Sequence, residues 1–458
     1  MPLAYDQGPR PEPGTRNPEP GTPNPAARVT GPNLKFIHAA DVHLDSPLRG
    51  LERYEGAPVG ELRGATRRAC AQLVDLALAE SVDFVLLAGD LYDGDWRDYN
   101  TGLFFTHQMA RLQEAAIPVL MIAGNHDAAS QLTRVLRPPE NVLVFSTRAP
   151  ETRILEPLGV AVHGQGFPTR AVTEDLVLAY PAADPDLFNI GLLHTSLDGR
   201  PGHESYAPSS LAGLRARGYD YWALGHVHQR EVVAQAPWVV FPGNLQGRHA
   251  RETGPKGCTL VRVEDGQVSH LEHRALDVVR WSVCTVDLTA VATLEAVYDR
   301  VEPALRAVLP AAEGRLSAVR IRLTGACGVH GRLHAERERV VNDCRVLAGS
   351  VGAGDLWVEQ VQIDTRGTAS APAGDDALGS LLRAIEGLEL DPPRLADLAA
   401  EVADLGIKLP LSLRSGADGF DPAAPPYLQN CLEDVKALLL DRLLGQHREP
   451  DDDRRPSK

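Results

Sequence analysis

The chain has 458 residues, 43% of them hydrophobic, and a formal net charge of −15 from 46 basic and 61 acidic side chains. That length exceeds one ordinary core and predicts two or three domains, while no apolar run reaches the roughly 18–20 residues of a membrane span. The acidic balance argues against a chain that grips nucleic acid alone, but not against one that works beside a partner, because local patches can oppose the mean.

Residues 1–33 are rich in Pro, Gly, Asn and Arg and repeat the phrase PEPGT. With so little to bury, a disordered tail or an upstream-extended start is expected. The opening lacks the basic region and apolar core of a secretory signal. Six cysteines without a CxxC pair suit reduced thiols, so a cytoplasmic protein without membrane association is expected.

From Leu34 the pattern changes. LKFIHAA reads as a strand, 61–80 as a helix, VDFVLLAG as a strand, 101–116 as a helix and PVLMIAG as a strand. FNIGLLH and YDYWALG come next as strands, and after a Gly/Pro-rich stretch at 241–257 strands resume to about 275. Strands alternating with helices predict a layered α/β domain over 34–275. A second unit at 276–365 reads as strand VVRWSVCTVDL, helix 290–308, strand SAVRIRLTG, helix 331–348 and strand LWVEQVQID, a small βαβαβ domain. Residues 366–375 read as a linker. A helical C-terminal region spans 376–445, with helices at 376–388, 393–405 and 427–444, and a charged disordered tail occupies 446–458.

Five of the apolar segments end in polar side chains that can bind metal: Asp41 with His43, Asp90, Asn125 with His126, His194, and His226 with His228. In open α/β sheets ligands collect beyond the carboxyl ends of strands, so the five ends can converge on one pocket. With His126 set aside, two Asp, one Asn and four His are too many donors for one tetrahedral zinc. They suit two ions sharing a carboxylate, and the absence of cysteine favours Mn²⁺, Fe or Zn²⁺. Two cations roughly 3.5–4 Å apart stabilise both the attacking and the leaving oxygen at phosphorus.

The motifs DxH, GDxxD, GNHD, a lone His after an apolar strand, and GHVH, in that order, resemble the calcineurin-like metallophosphoesterase superfamily. The resemblance implies a four-layer α/β sandwich. By motif position it implies that Asp41, His43 and His228 hold one metal, that Asn125, His194 and His226 hold the other, and that Asp90 bridges. His126 would then protonate the departing oxygen or steady the phosphate. The phrases HAADVHLDSPLRGL, GHESYAPSSLAGLRARGYDYWALGHVHQREVV and FPGNLQGRHARETGPKGCTLVRV resemble bacterial DNA-repair exonucleases of the SbcD/YhaO type, closer to YhaO. That likeness covers about 34–280, and continues over the small domain, the cap of such nucleases, only in the order of elements. It implies Mn²⁺-dependent hydrolysis of DNA phosphodiesters in repair, an SMC-like coiled-coil ATPase as partner, and commonly a homodimer. The chain has no GxxxxGK[ST] loop, so the ATPase would be another polypeptide.

Other readings remain beside this one. The metal centre alone does not choose a substrate, so a small phosphodiester or phosphomonoester is the alternative, and a non-catalytic scaffold is a third. Asp93 stands where some relatives carry His; a carboxylate there repels phosphate unless turned away or hydrogen-bonded, and it reads equally as a loop cap with Gly94. His38 is expected to be packed rather than liganding, His203 and His249 to be surface-loop residues, and Arg67 and Arg68 to form a solvated helix face. Arg248 and Arg251 read either as DNA phosphate contacts or as fold-holding ion pairs. Cys327, His330, His334 and Cys344 fit no usual zinc spacing. The apolar stripe of 427–444 reads either as a helix on the cap or as one that docks in a partner's groove.

Overall fold

The computed structural model describes residues 31–46, 58–93, 99–129, 138–199, 206–368, 377–409 and 420–446. The expected tails and linker fall mostly outside the described residues, and His203 does so entirely. Twelve strands build the first unit: β1 (Leu34–Ala39), β2 (Phe84–Ala88), β3 (Val119–Ile122), β4 (Val142–Val144), β5 (Glu151–Leu155), β6 (Val160–Gly164), β7 (Phe188–His194), β8 (Tyr221–Gly225), β9 (Glu231–Gln235), β10 (Trp238–Phe241), β11 (Gly257–Glu264) and β12 (Gln267–Ala275). They form two six-stranded sheets, ordered β12-β11-β1-β2-β3-β4 and β5-β6-β7-β8-β10-β9. In each sheet four neighbouring strands run parallel, and antiparallel strands close the edges.

The near-continuous apolar runs result from burial on both faces. Phe36, Phe84, Leu86 and Ile122 of the first sheet meet Val162, Ile190, Leu192 and Tyr221 of the second in the central core. The alternate residues Ile37, Val85, Leu87 and Met121 pack outward against the helices Ala65–Glu80 and Tyr99–Glu114. On the far side Leu193, Trp222 and Leu224 are covered by Val177, Tyr180 and Leu214, so there the outer layer shrinks to the short helix Leu211–Ala216 and a 3-10 turn. The result is a mixed α/β sandwich of two six-stranded sheets between helical layers, as the resemblance implies. His38 joins the sheets: its Nδ1 lies 3.0 Å from the Tyr221 hydroxyl and its Nε2 3.1 Å from the Leu224 carbonyl.

The second unit is a three-stranded parallel sheet, β13 (Val279–Asp287), β14 (Leu316–Cys327) and β15 (Leu356–Gly367). Its helices Leu294–Arg306 and Arg337–Gly352 share a core with one face of the sheet. Val279, Trp281, Ala318 and Trp357 instead pack against Leu62, Ala65 and Ala250 of the first unit. Helices Ala377–Glu386, Pro392–Lys408 and Pro425–Gln446 complete the described chain, and the last packs on the cap helix His330–Ala335 through a His334–Asp434 contact of 3.3 Å.

Several expectations are corrected. The helix expected at 61–80 is two, Val59–Arg63 and Ala65–Glu80, because Gly64 ends one and starts the other. The helix expected at 331–348 likewise breaks at Glu336. Strands β4, β5, β6, β9 and β10 are additional to those expected from the sequence; β5 and β9 are partly exposed edge strands that lack a continuous apolar run. Arg67 is not on a solvated face: its guanidinium pairs with Asp45 and lies 5.5 Å from the centre of the Phe104 ring.

Candidate metal centre

Each polar cluster sits where a parallel strand ends, and the backbone there is bent sharply. Asp41, His43, Asp90 and His226 adopt φ of 51°, 46°, 52° and 102°. Left-handed conformations cost non-glycine residues of order 1–3 kcal/mol each and concentrate at functional sites. The bends turn side chains from two sheets toward one another. Gly124 permits the closest approach, since a Cβ there would run into the Asp90 carboxylate.

All eight residues singled out from the motifs come together. His43 Nε2 lies 3.2 Å from His228 Nε2, and His228 Nε2 lies 3.8 Å from Asp41 Oδ1. Beside them, His194 Nε2 is 2.9 Å from Asn125 Oδ1 and 3.4 Å from Asp90 Oδ2. Asp90 Oδ2 is also 4.0 Å from His43 Nε2, so its carboxylate stands between the two groups. The His226 backbone N–H donates to the Asp41 carboxylate at 3.0 Å, and its ring lies 5.2 Å from that of His194. His126 donates its backbone N–H to Asp90 Oδ1 at 2.9 Å.

The donor set fits divalent cations. Three groups of His and Asp have ligand atoms within 4.8 Å of one another: Asp41–His43–His228, Asp41–Asp90–His194 and His43–Asp93–His126. Asp41 and Asp90 are both buried, and uncompensated buried carboxylates cost several kcal/mol each. His194 makes the case sharpest. Its Nδ1 faces the Ala88 carbonyl at 2.9 Å, so that nitrogen carries the hydrogen, yet Nε2 also faces only oxygen acceptors. A lone pair against two oxygens needs a proton or a cation between them. Burial opposes charge on His194, but Asp90 and Asp41 push its pKa up to about 9. Burial raises the pKa of Asp41, with His228 and His194 opposing and the Asp90 charge adding to the rise. Among the described residues the buried His43 Nδ1 has no hydrogen-bond partner, the Asp93 Oδ1 atom standing 3.8 Å away.

Asp93, outside the expected catalytic set, is part of the site. Its Oδ1 accepts from His126 Nδ1 at 2.8 Å, and its Oδ2 accepts from the Ser46 hydroxyl at 2.6 Å. The hydrogen-bonded state that makes a carboxylate tolerable beside a phosphate is therefore the one observed. Burial works against the charged His126, but the Asp93 hydrogen bond and the Asp90 charge outweigh it and raise its pKa. Asp127, the last residue of GNHD, caps the turn by accepting from the N–H groups of Gly124, Leu91 and Tyr92.

Sequence reasoning missed Glu252 and Lys256. Glu252 Oε1 accepts from His228 Nδ1 at 2.6 Å, and Lys256 Nζ donates to the His228 carbonyl at 2.7 Å. Their signals were position in the Gly/Pro-rich stretch at 241–257 and in the phrase FPGNLQGRHARETGPKGCTLVRV, within which neither was singled out. Arg248 is an ion-pairing residue, 3.4 Å from Glu252 Oε1 and 3.6 Å from Asp93 Oδ2. His249 is half-exposed, 3.5 Å from Glu252. In the cap, His330 and His334 stack edge to face at 4.7 Å, while Cys327 and Cys344 are buried in the cap core.

Residues 34–230 match the family model described as calcineurin-like phosphoesterase, and residues 281–366 match one described as metallophosphoesterase YhaO, middle domain. "Uncharacterized metallophosphoesterase YhaO" of Bacillus subtilis (strain 168) is 39% identical over 274 residues, covering 59% of this chain and 67% of that one. "DNA double-strand break repair protein Mre11" of Sulfurisphaera tokodaii is 26% identical over 234 residues, covering 47% of this chain and 58% of that one. Among solved structures, a dimetal phosphatase from Danio rerio is 11% identical, with TM-score 0.33 over 54% of this chain and 97% of that one. A family model over residues 34–230, which hold strands β1 to β8, a second over the cap and a relative 39% identical across 67% of its length lead to one conclusion: the chain belongs to the calcineurin-like phosphoesterase family.

Proposed function

We propose that this phosphoesterase is a Mn²⁺-dependent DNA exonuclease subunit that hydrolyses phosphodiester bonds in repair, with a separate SMC-like coiled-coil ATPase as partner. The observation that carries the reading is the convergence of Asp41, His43, Asp90, Asn125, His194, His226 and His228 from five strand ends on one pocket. The DNA substrate is supported by likeness to a relative named for double-strand break repair and by the cap that succeeds the catalytic unit. The ATPase belongs to the proposal because the chain has no phosphate-binding GxxxxGK[ST] loop of its own.

In this reading Asp41, His43 and His228 hold one ion, Asn125, His194 and His226 the other, and Asp90 serves both. When bound, the two ions supply Lewis acidity at the phosphoryl group. The chain's own residues do the rest. The Ala88 carbonyl and Glu252 fix His194 and His228 with hydrogen on Nδ1, which turns both Nε2 lone pairs inward. Asp93, which can only accept, fixes the proton of His126 on Nδ1 as well. Nε2 of His126 is then the ring atom that hands a proton to the departing oxygen. Of these histidines His126 has the most exposed side chain, at 29%, as contact with a substrate requires.

The test is to incubate purified full-length protein with Mn²⁺ and end-labelled duplex DNA, single-stranded DNA and bis-p-nitrophenyl phosphate, each with and without EDTA. Release of nucleotides from DNA ends that EDTA abolishes and Mn²⁺ restores is expected. Cleavage of the small ester with DNA untouched, ATPase partner included, would transfer the proposal to a small-molecule phosphodiesterase. No turnover of any of the three would leave a scaffold.

A further inference from the structure

The stretch from Asn244 to Glu252 carries none of the five metal-binding motifs, yet it touches both the metal centre and the cap. Glu252 is 6% exposed, and both its oxygens are engaged. Oε1 accepts from His228 Nδ1 at 2.6 Å; Oε2 accepts from Asn244 Nδ2 at 2.9 Å and from the Arg248 backbone N–H at 2.7 Å. A carboxylate so held leaves the His228 ring no freedom to rotate without breaking a charge-assisted hydrogen bond. The outcome is a ring whose Nε2 points at His43 and Asp41.

The same stretch is bound from the other side by the first cap strand. The Gln246 side chain, 2% exposed, accepts from the Val278 N–H at 2.8 Å and the Val279 N–H at 3.3 Å, and donates to the Val279 carbonyl at 2.7 Å. The Trp281 indole N–H donates to the Gly247 carbonyl at 2.8 Å, and the Gly254 N–H donates to the Trp281 carbonyl at 3.2 Å. Ala250 is buried with Val279, Trp281 and Trp357 in the apolar seam between the units. A side-chain amide that reads both the N–H and the C=O groups of a strand fixes its register. Only a short loop therefore separates a bond to the cap, at Gly247, from a bond to a proposed metal ligand, at Glu252.

We propose that Glu252 is a positioning residue for His228, and that the cap, through Gln246 and Trp281, sets where Glu252 stands, so that a shift of β13 alters the affinity of the His228 side for a divalent ion. The inference rests on the reading of His228 as a ligand. Carboxylates behind ligating histidines are typically worth about 10–100-fold in metal affinity. The cap is in this way tied to the metal centre through the hydrogen bonds of Gln246 and Gly247.

The experiment is calorimetric titration of the metal-free full-length protein with Mn²⁺, with Co²⁺ absorption spectra as a second readout of ligand geometry. The parent should bind two ions per chain. Glu252→Gln should weaken one of them about 10–100-fold and alter its Co²⁺ spectrum, leaving the other unchanged. Trp281→Phe keeps an aromatic ring in the seam but removes the N–H together with the second ring of the indole; it should weaken the same ion by a smaller factor, and the metal-free melting temperature, measured beside it, reports the packing lost. If Glu252→Gln fails to fold, Glu252→Asp, which keeps the charge and withdraws it by one methylene, should show the same selective weakening. Unchanged binding in the Glu252 variant overturns its positioning role. Weakening there with none in Trp281→Phe and Gln246→Ala overturns the cap's part. A parent that binds fewer than two ions overturns the two-ion reading and this inference with it, so the two failures are told apart.

Discussion

The two-sheet core and the cap at 279–367 are both built on parallel strands joined by helices, and they differ in the residues at the strand ends. In the core, β1, β2, β3, β7 and β8 run into Asp41 and His43, Asp90, Asn125 and His126, His194, and His226 and His228, four of them with positive φ. In the cap, β13 ends at Asp287, whose carboxylate accepts from the Thr289 N–H at 2.9 Å and closes an ordinary turn. The β15 end pairs Thr365 with His330 at 2.8 Å. Among the described residues no group of three possible metal ligands gathers there. Parallel topology thus offers a place for a ligand without making one. The site arises where polar residues succeed the strands and the chain accepts strained backbone to aim them.

Removing the residue shared by both halves of the core cluster should have the largest effect. Asp90→Ala is expected to abolish turnover and to reduce bound Mn²⁺ below two ions per chain by elemental analysis; two ions retained would end its bridging assignment. His126→Ala should keep both ions and lose about 10²–10⁴-fold in turnover, read as kcat at saturating Mn²⁺. Asp93→Asn should cost less, roughly 10–100-fold, as for the outer partners of metal-site residues. Its stability and metal content should be held, and an unchanged kcat would return Asp93 to the role of a loop cap.

Buried histidines outside the cluster sharpen the contrast on stability. Burial takes the His38 pKa down to about 3, against 6.5 when unfolded, so the unfolded chain binds the proton first. Stability from this residue is whole above pH 6.5 and falls as pH drops toward 3, by about 1.4 kcal/mol at one unit below the unfolded pKa. Denaturant melts of the parent and His38→Gln should therefore converge as the pH is lowered. The smallest effect belongs to the cap. His330→Ala and His334→Ala should leave Mn²⁺ binding and turnover as in the parent, and a loss in either would mean that the cap's strand ends take part in the chemistry.

The side chains that converge were legible because the pattern is local: an apolar run, a turn and one or two donors, repeated five times in order. The strands that carry them were equally readable, since burial on both faces leaves an uninterrupted apolar stretch. The edge strands β5 and β9, half-exposed and mixed in composition, gave no such signal. Asp93 was ambiguous from sequence, because whether a carboxylate repels a phosphate depends on the hydrogen bonds it makes, here with His126 and Ser46.

By itself, then, the order of residues determined which side chains could bind metal and the alternation that brings them to strand ends. Only the tertiary structure decided which partners orient them. Glu252 lies 24 residues from His228, and Gln246 and Gly247 lie within hydrogen-bonding reach of the first cap strand. Such contacts depend on how a loop closes and on how two units pack, and neither leaves a periodic trace in the chain.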